Sequence, residues 1–337
     1  MKRREFIKVT AITAAGSMLP FRYLDASEEA TQPMRDPASF ITPTEDFYVL
    51  QIGDPPKIDF GEPPEVPNWK LAITGLVEKP SMFRYPELIS LPSITTVRTL
   101  KCIGDPIGVE QMSNAEWTGV RLRDVLEQVK VKDAAKVVVF RCADGYHTAV
   151  PLEWALREEV LLAYKMNGEL LPREHGFPVR LLNPGHYGTK NPKWIMNIVL
   201  AESHVGYWEM RGWDPVARVK LATMIGMPGE DDGIEAGRTY TISGAAFDAG
   251  NHGGIKGVEV SVDGGQTWHK ADIWANDSPL SWYLWTYEWR TPETSQMVEI
   301  YARAIANDGL VQKTSGVEAE PAGAVGYHTV RVEVIGS

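Results

Sequence analysis

Alternating apolar and polar side chains mark much of the regular structure in this sequence. Residues 69–75, Trp-Lys-Leu-Ala-Ile-Thr-Gly, alternate like a half-buried strand and end on glycine. Strands are also predicted at 47–52, an aromatic and β-branched run, and at 95–100. A further one at 137–140, Val-Val-Val-Phe, is apolar at every position, as a strand buried on both faces would be. Helical spacing takes over at 119–129, where Val120, Leu122, Val125, Leu126 and Val129 fall on one face. A second helix is predicted over 152–162, just after Pro151. Outside 47–52, the stretch 26–67 is rich in Pro, Glu and Asp and reads as extended chain and loop. This mixture predicts an α+β domain over 31–210.

The texture changes after a turn-rich junction at 206–228. Short alternating runs at 240–244, 258–262, 282–289, 298–305 and 330–335 are separated by turns such as Asp263-Gly264-Gly265 and Asn307-Asp308-Gly309. No helical spacing interrupts them. They predict an all-β sandwich over 211–337, with tryptophans serving as core or subunit interface.

Composition narrows the chemistry. The 337 residues suit two domains plus a leader, and a formal charge of −10 argues against nucleic acid as a partner. Two cysteines, Cys102 and Cys142, exclude a disulfide scaffold, a cysteine-ligated iron–sulfur cluster and a Cys-x-x-Cys-His haem attachment in this chain. Any electrons must therefore leave to a separate carrier. At the start, Arg3-Arg4 followed by Phe6-Ile7-Lys8 and an uncharged run matches the twin-arginine export pattern. Residues 1–30 are thus expected to be an export leader, and the protein to work in the periplasm or on the outer face of the membrane. No clean small-x-small cleavage site precedes Ser27, so retention as an anchor stays open.

Cys102 ends an apolar strand and enters Gly104-Asp105-Pro106-Ile107-Gly108, which continues neither strand nor helix. A thiol delivered there is placed to meet a ligand, although free cysteine is also a common buried filler. A disulfide to Cys142 is a third possibility, since both sit at strand ends. Farther on, His175, Arg180, Lys190 and Lys193 lie among glycines and prolines at 175–194, a mix suited to a phosphate. Asp144, His147, His175 and His186 invite a zinc reading, but their spacing fits no common site. Gly-x-Ser-x-Gly is missing.

Six motifs in order carry a resemblance. They are Leu100-Lys-Cys-Ile-Gly104, Trp117-Thr-Gly-Val-Arg-Leu122, Asp144-Gly-Tyr146, Leu162-Ala-Tyr-Lys-Met-Asn-Gly168, His175-Gly-Phe-Pro-Val-Arg180 and Lys193-Trp194. From about residue 47 to the end the chain resembles the sulfite oxidase family of molybdenum–pterin oxidoreductases, as a bacterial, exported member. The resemblance implies a molybdopterin-binding α+β domain followed by an immunoglobulin-like β-sandwich that often mediates dimerisation. It makes Cys102 the molybdenum ligand, and thiolate is a soft donor suited to that metal. It assigns His175, Arg180 and Lys193 to the pterin phosphate, with loop backbone at Asn191 and Pro192. Tyr48 and Val49 would line the pterin, Cys142 would form nearby wall without ligating, and Tyr164 would be the active-site tyrosine.

Three positions depart from the family pattern. Where animal-type sulfite oxidases place substrate arginines, this chain aligns Leu50, then Pro106 and Ile107, and finally Trp285. Each missing charge-assisted contact is worth roughly 1.5–3 kcal/mol. The expectation is an exported mononuclear molybdenum oxidoreductase that transfers an oxygen atom to or from a small substrate other than sulfite. Its electrons would pass to a cytochrome or a membrane haem subunit. The alternatives are a sulfite dehydrogenase feeding a cytochrome and a non-catalytic subunit of a membrane redox complex.

Overall fold

The computed structural model describes residues 40–105, 107, 111–274, 278–314 and 319–336; the leader expected at 1–30 lies outside them. Up to Ala201 the strands are β1 (Lys70–Gly75), β2 (Ser81–Arg84), β3 (Ser93–Lys101), β4 (Met112–Arg121), β5 (Val137–Cys142), β6 (His147–Pro151), β7 (Leu161–Met166), β8 (Glu169–Leu170), β9 (Arg180–Leu182) and β10 (Ile195–Ala201). They form two sheets, ordered β2-β1-β10-β5-β6 and β3-β4-β7-β8, with β9 paired to β7. Between the sheets lies an apolar core that includes Trp69, Leu71, Val138, Phe140, Leu162 and Tyr164. The helix Leu122–Val129 seals it, burying Leu122, Val125, Leu126 and Val129 at i, i+3, i+4 and i+7. It stops at Lys130, whose φ of 53° is left-handed.

Two predicted elements differ. The run 47–52 forms no strand: Tyr48 N–H donates to the Ser113 hydroxyl at 3.2 Å instead of to a ladder, and Val49 and Leu50 are exposed. Phe47 alone is buried, edge-on to Trp117 at 5.6 Å. The helix predicted over 152–162 is only Leu152–Ala155, because Leu161 and Leu162 pair with both β4 and β9. Sheet pairing thus overrides local helix propensity.

Beyond residue 221 the chain is all-β among the described residues: β11 (Ala222–Met227), β12 (Gly233–Glu235), β13 (Thr239–Phe247), β14 (Ile255–Ser261), β15 (His269–Lys270), β16 (Asp272–Trp274), β17 (Tyr283–Arg290), β18 (Gln296–Ala306) and β19 (His328–Ile335). Their sheets, β11-β13-β17-β16 and β12-β19-β18-β14-β15, share a core containing Ile242, Trp285, Val258, Ile300 and Val332. β11 falls inside the stretch read from sequence as junction. A smaller apolar cluster joins the two halves, putting Ile103, next to Cys102, with Tyr187, Phe247 and Trp282. Thr99 straps the same region: its N–H donates to Leu280 O at 3.1 Å, and its hydroxyl accepts from Trp282 N–H at 2.8 Å. The strand that delivers Cys102 is therefore braced from both sides.

Candidate cofactor site

Cys102 is a free thiol, 6% exposed, at the exit of β3. Its N–H donates to Gln111 O at 2.9 Å, and its Sγ accepts from Gly104 N–H at 3.3 Å. Burial pushes the thiol up to about 12, against the opposing pull of the Gly104 N–H. Without a metal it is a neutral thiol; a bound cation would release its proton. Flanking it, Lys101 and Asp105 form a buried ion pair, and Asp105 also accepts from Gln111 N–H at 3.3 Å. That carboxylate pins the loop and consumes the Lys101 charge. Sequence reading had not paired these two.

Tyr48 connects the thiol to the basic loop. Burial raises its pKa most, and the fields of Cys102 and Arg180 both reach its hydroxyl. A Cβ on Gly188 would lie 3.3 Å from that hydroxyl and 3.7 Å from Lys101 O, so the loop passes close to both. Arg180 is 5% exposed, with its guanidinium 5.0 Å from the Trp117 ring centre. It donates to His175 O at 3.0 Å and Asn191 O at 3.5 Å, while Nε has no partner among the described residues. Burial lowers its pKa to about 10, so it stays charged at neutral pH with no carboxylate paired to it among the described residues. Gly176, at φ +116°, lets this turn close: a Cβ there would meet Arg180 Cβ at 3.0 Å and Lys193 Cβ at 3.2 Å.

Other expected residues have more limited roles. His175 Nε2–H donates to Thr44 O at 3.1 Å, and burial holds its pKa down at about 4, so the ring is neutral. It offers a lone pair, and the cationic charge rests on Arg180 and Lys193. Asn191 N–H is already bonded to Gly188 O and Pro192 O accepts from Leu181 N–H, both at 2.9 Å. These two residues shape the loop and have no free backbone donor. Cys142, at the end of β5, is also free and half-buried; its pKa is raised by burial and then by Asp144. Val49 is 45% exposed.

Two assignments are corrected. Tyr164 points into the main core, edge-on to Tyr85 at 6.5 Å, whereas Ala163 faces the cluster of Phe47 and Trp117 on which Tyr48 packs. It packs with the main core and not with the cluster beside Tyr48. Tyr187, given no role from sequence, is fully buried, and its hydroxyl accepts from Lys220 N–H at 3.1 Å. Trp285 cannot stand in a substrate pocket either. It is fully buried in the β-sandwich core, with Nε1–H on the Thr223 hydroxyl at 3.0 Å. The histidines of the zinc reading are dispersed: His147 pairs with His204 at 2.9 Å, His186 stacks on Trp154 and His175 meets Phe47.

Lys193 donates to Gln51 Oε1 at 3.0 Å and Glu174 O at 2.7 Å, and lies 4.4 Å from the Trp194 ring centre. Burial first, then Arg180, lowers its pKa from 10.5 to about 7. Between those values the unfolded chain holds a proton that the folded, cofactor-free protein lacks, so stability rises with pH across that window. Chemical denaturation should give a flatter pH slope there for Lys193→Met than for wild type. Equal slopes would contradict this environment for the ammonium.

A buried thiol, a buried guanidinium with an unused N–H and a glycine-lined turn fit a phosphorylated ligand that carries a thiophilic metal. Comparison with known proteins supports that fit. Residues 56–208 match the oxidoreductase molybdopterin binding domain, and residues 214–334 the Mo-co oxidoreductase dimerisation domain. Sulfite oxidase of Arabidopsis thaliana is 29% identical over 332 residues, covering 82% of this chain and 83% of that protein. The chain belongs to the sulfite oxidase family. It is a molybdenum-cofactor oxidoreductase, and its cofactor is molybdenum–molybdopterin. Another family relative, the NADH nitrate reductase of Ulva prolifera, is 31% identical over 325 residues; the match covers 79% of this chain but only 37% of that protein. The sulfane dehydrogenase SoxCD structure from Paracoccus pantotrophus shares the fold, with a TM-score of 0.72 at 22% identity, covering 96% of this chain and 88% of that one.

Proposed function

We propose that this protein is an exported molybdenum oxidoreductase that moves an oxygen atom between water and a small substrate other than sulfite. The observation that carries the site is the Arg180 guanidinium, 5% exposed over the Trp117 ring, with Nε unpartnered among the described residues. Cys102 would ligate the metal, Arg180 and Lys193 would hold the pterin phosphate, and neutral His175 would offer a lone pair beside them. Tyr48 would line the pterin, with Cys142 as nearby wall. Bound there, the cofactor supplies two-electron redox chemistry. The chain's own part is to bury the thiol, fix its loop through Asp105 and exclude water with Ile103, Tyr187 and Trp213.

Against sulfite stand Leu50, half exposed, and Ile107, neither of which brings a cation, while Lys101 is neutralised by Asp105. Pro106 lies outside the described residues. The sulfite oxidase relatives favour a second reading, sulfite dehydrogenation feeding a cytochrome. Export rests on Arg3-Arg4 and the residues after them. Transfer of electrons to a separate carrier, a cytochrome or a membrane haem subunit, rests on the cysteine count. The match over 214–334 supports a homodimer through an immunoglobulin-like C-terminal domain, with the boundary at 210/211. Purified protein should contain stoichiometric molybdenum and pterin. With a dye mediator it should turn over a sulfoxide faster than sulfite. Faster sulfite turnover selects the second reading, and absence of molybdenum removes both.

A further inference from the structure

Arg98 belongs to no part of the cofactor site described above. It is 5% exposed on β3, and its Nε and Nη1 have no hydrogen-bond partner among the described residues. Asn183 Nδ2 and His186 Nε2 are likewise buried and unpartnered. These side chains line one cavity, walled by Leu182 from the first half of the chain and by Phe247 and Leu280 from the second. His186 Nδ1 lies 2.9 Å from Pro184 O, so Nδ1 carries the proton and Nε2 is an acceptor that takes no part in holding an anion. The guanidinium keeps its charge, since burial lowers its pKa only to about 10. Glu159, whose field reaches it, is exposed at the surface and makes no ion pair with it. A buried charge without a counterion is costly and calls for a compensating ligand.

We propose that this cavity binds a small monovalent anion of halide size, held by Arg98 and the Asn183 amide between the two halves of the chain. One guanidinium with one neutral amide balances a single negative charge, and apolar walls disfavour a larger, more hydrated ion. The anion would tie β3 to the all-β half, next to the strap made by Thr99 and Leu280. The holoenzyme is melted in rising sodium chloride, with sodium gluconate holding ionic strength constant. The wild-type Tm is expected to climb to a plateau, and Arg98→Met to show no chloride dependence. An equal chloride response in both proteins overturns the proposal. Should Arg98→Met fail to fold, wild-type crystals soaked in sodium bromide decide: an anomalous peak beside Arg98 and Asn183 supports the site, and its absence refutes it.

Discussion

Replacing Cys102 with serine abolishes turnover and leaves a folded protein. The exchange swaps one atom in a site that is 6% exposed. The Gly104 N–H that meets Sγ at 3.3 Å can donate equally well to a hydroxyl. Stability of the cofactor-free variant should therefore stay within about 1 kcal/mol of wild type, the worth of an ordinary hydrogen bond. Catalysis is different, because an alcohol is a hard and weakly acidic donor where a thiolate is required. Losing a residue that merely orients a metal ligand costs roughly 10–100-fold in affinity or activity, and losing the ligand should exceed that. Dye-linked turnover, molybdenum content and near-ultraviolet circular dichroism measured together check the claim. Turnover within tenfold of wild type, with a native spectrum, would remove Cys102 from the chemistry.

What the sequence discloses about this fold depends on whether pairing is implied locally. The strands at 69–75, 95–100 and 137–140 were legible because their side-chain pattern coincides with a place in a ladder. The run 47–52 has the same composition but no partner edge, and nothing near it in sequence reveals that. At 152–162 the apolar spacing suits a helix, yet Leu161 and Leu162 are held by strands distant in the chain. The site followed a similar rule. Cys102, Arg180 and Lys193 stand out as candidates because their Gly- and Pro-rich surroundings announce loops. Tyr164 was misassigned because a motif fixes position along a strand but not the face, and β7 shifts register beside that residue. Trp285 sits in a stretch of β17 buried at four successive positions, Tyr283 to Thr286, so no alternation betrays which way it points. Lys101 and Asp105 stand four residues apart, and only the turn between them makes them one neutral pair.

Arg180→Met should separate cofactor retention from folding. The guanidinium is buried over Trp117 with no carboxylate paired to it among the described residues, so in the cofactor-free protein its charge is a burden that an apolar side chain of similar length relieves. Against that gain stand the lost bonds to His175 O and Asn191 O, at 3.0 and 3.5 Å. The two effects oppose each other, and the cofactor-free Tm should move little. The loaded protein has no such offset. A charge-assisted contact to phosphate is worth roughly 1.5–3 kcal/mol, which corresponds to a roughly 10- to 150-fold loss of cofactor affinity. Removing Arg180 lifts one of the causes that lower His175 and Lys193, but burial, the larger cause, stays on both, so neither fully replaces the lost guanidinium. Molybdenum per chain after prolonged dialysis, read beside the melting of both forms, provides the measurement. Equal destabilisation of the loaded and cofactor-free proteins would make Arg180 a structural residue, whereas selective loss of molybdenum places the phosphate on it.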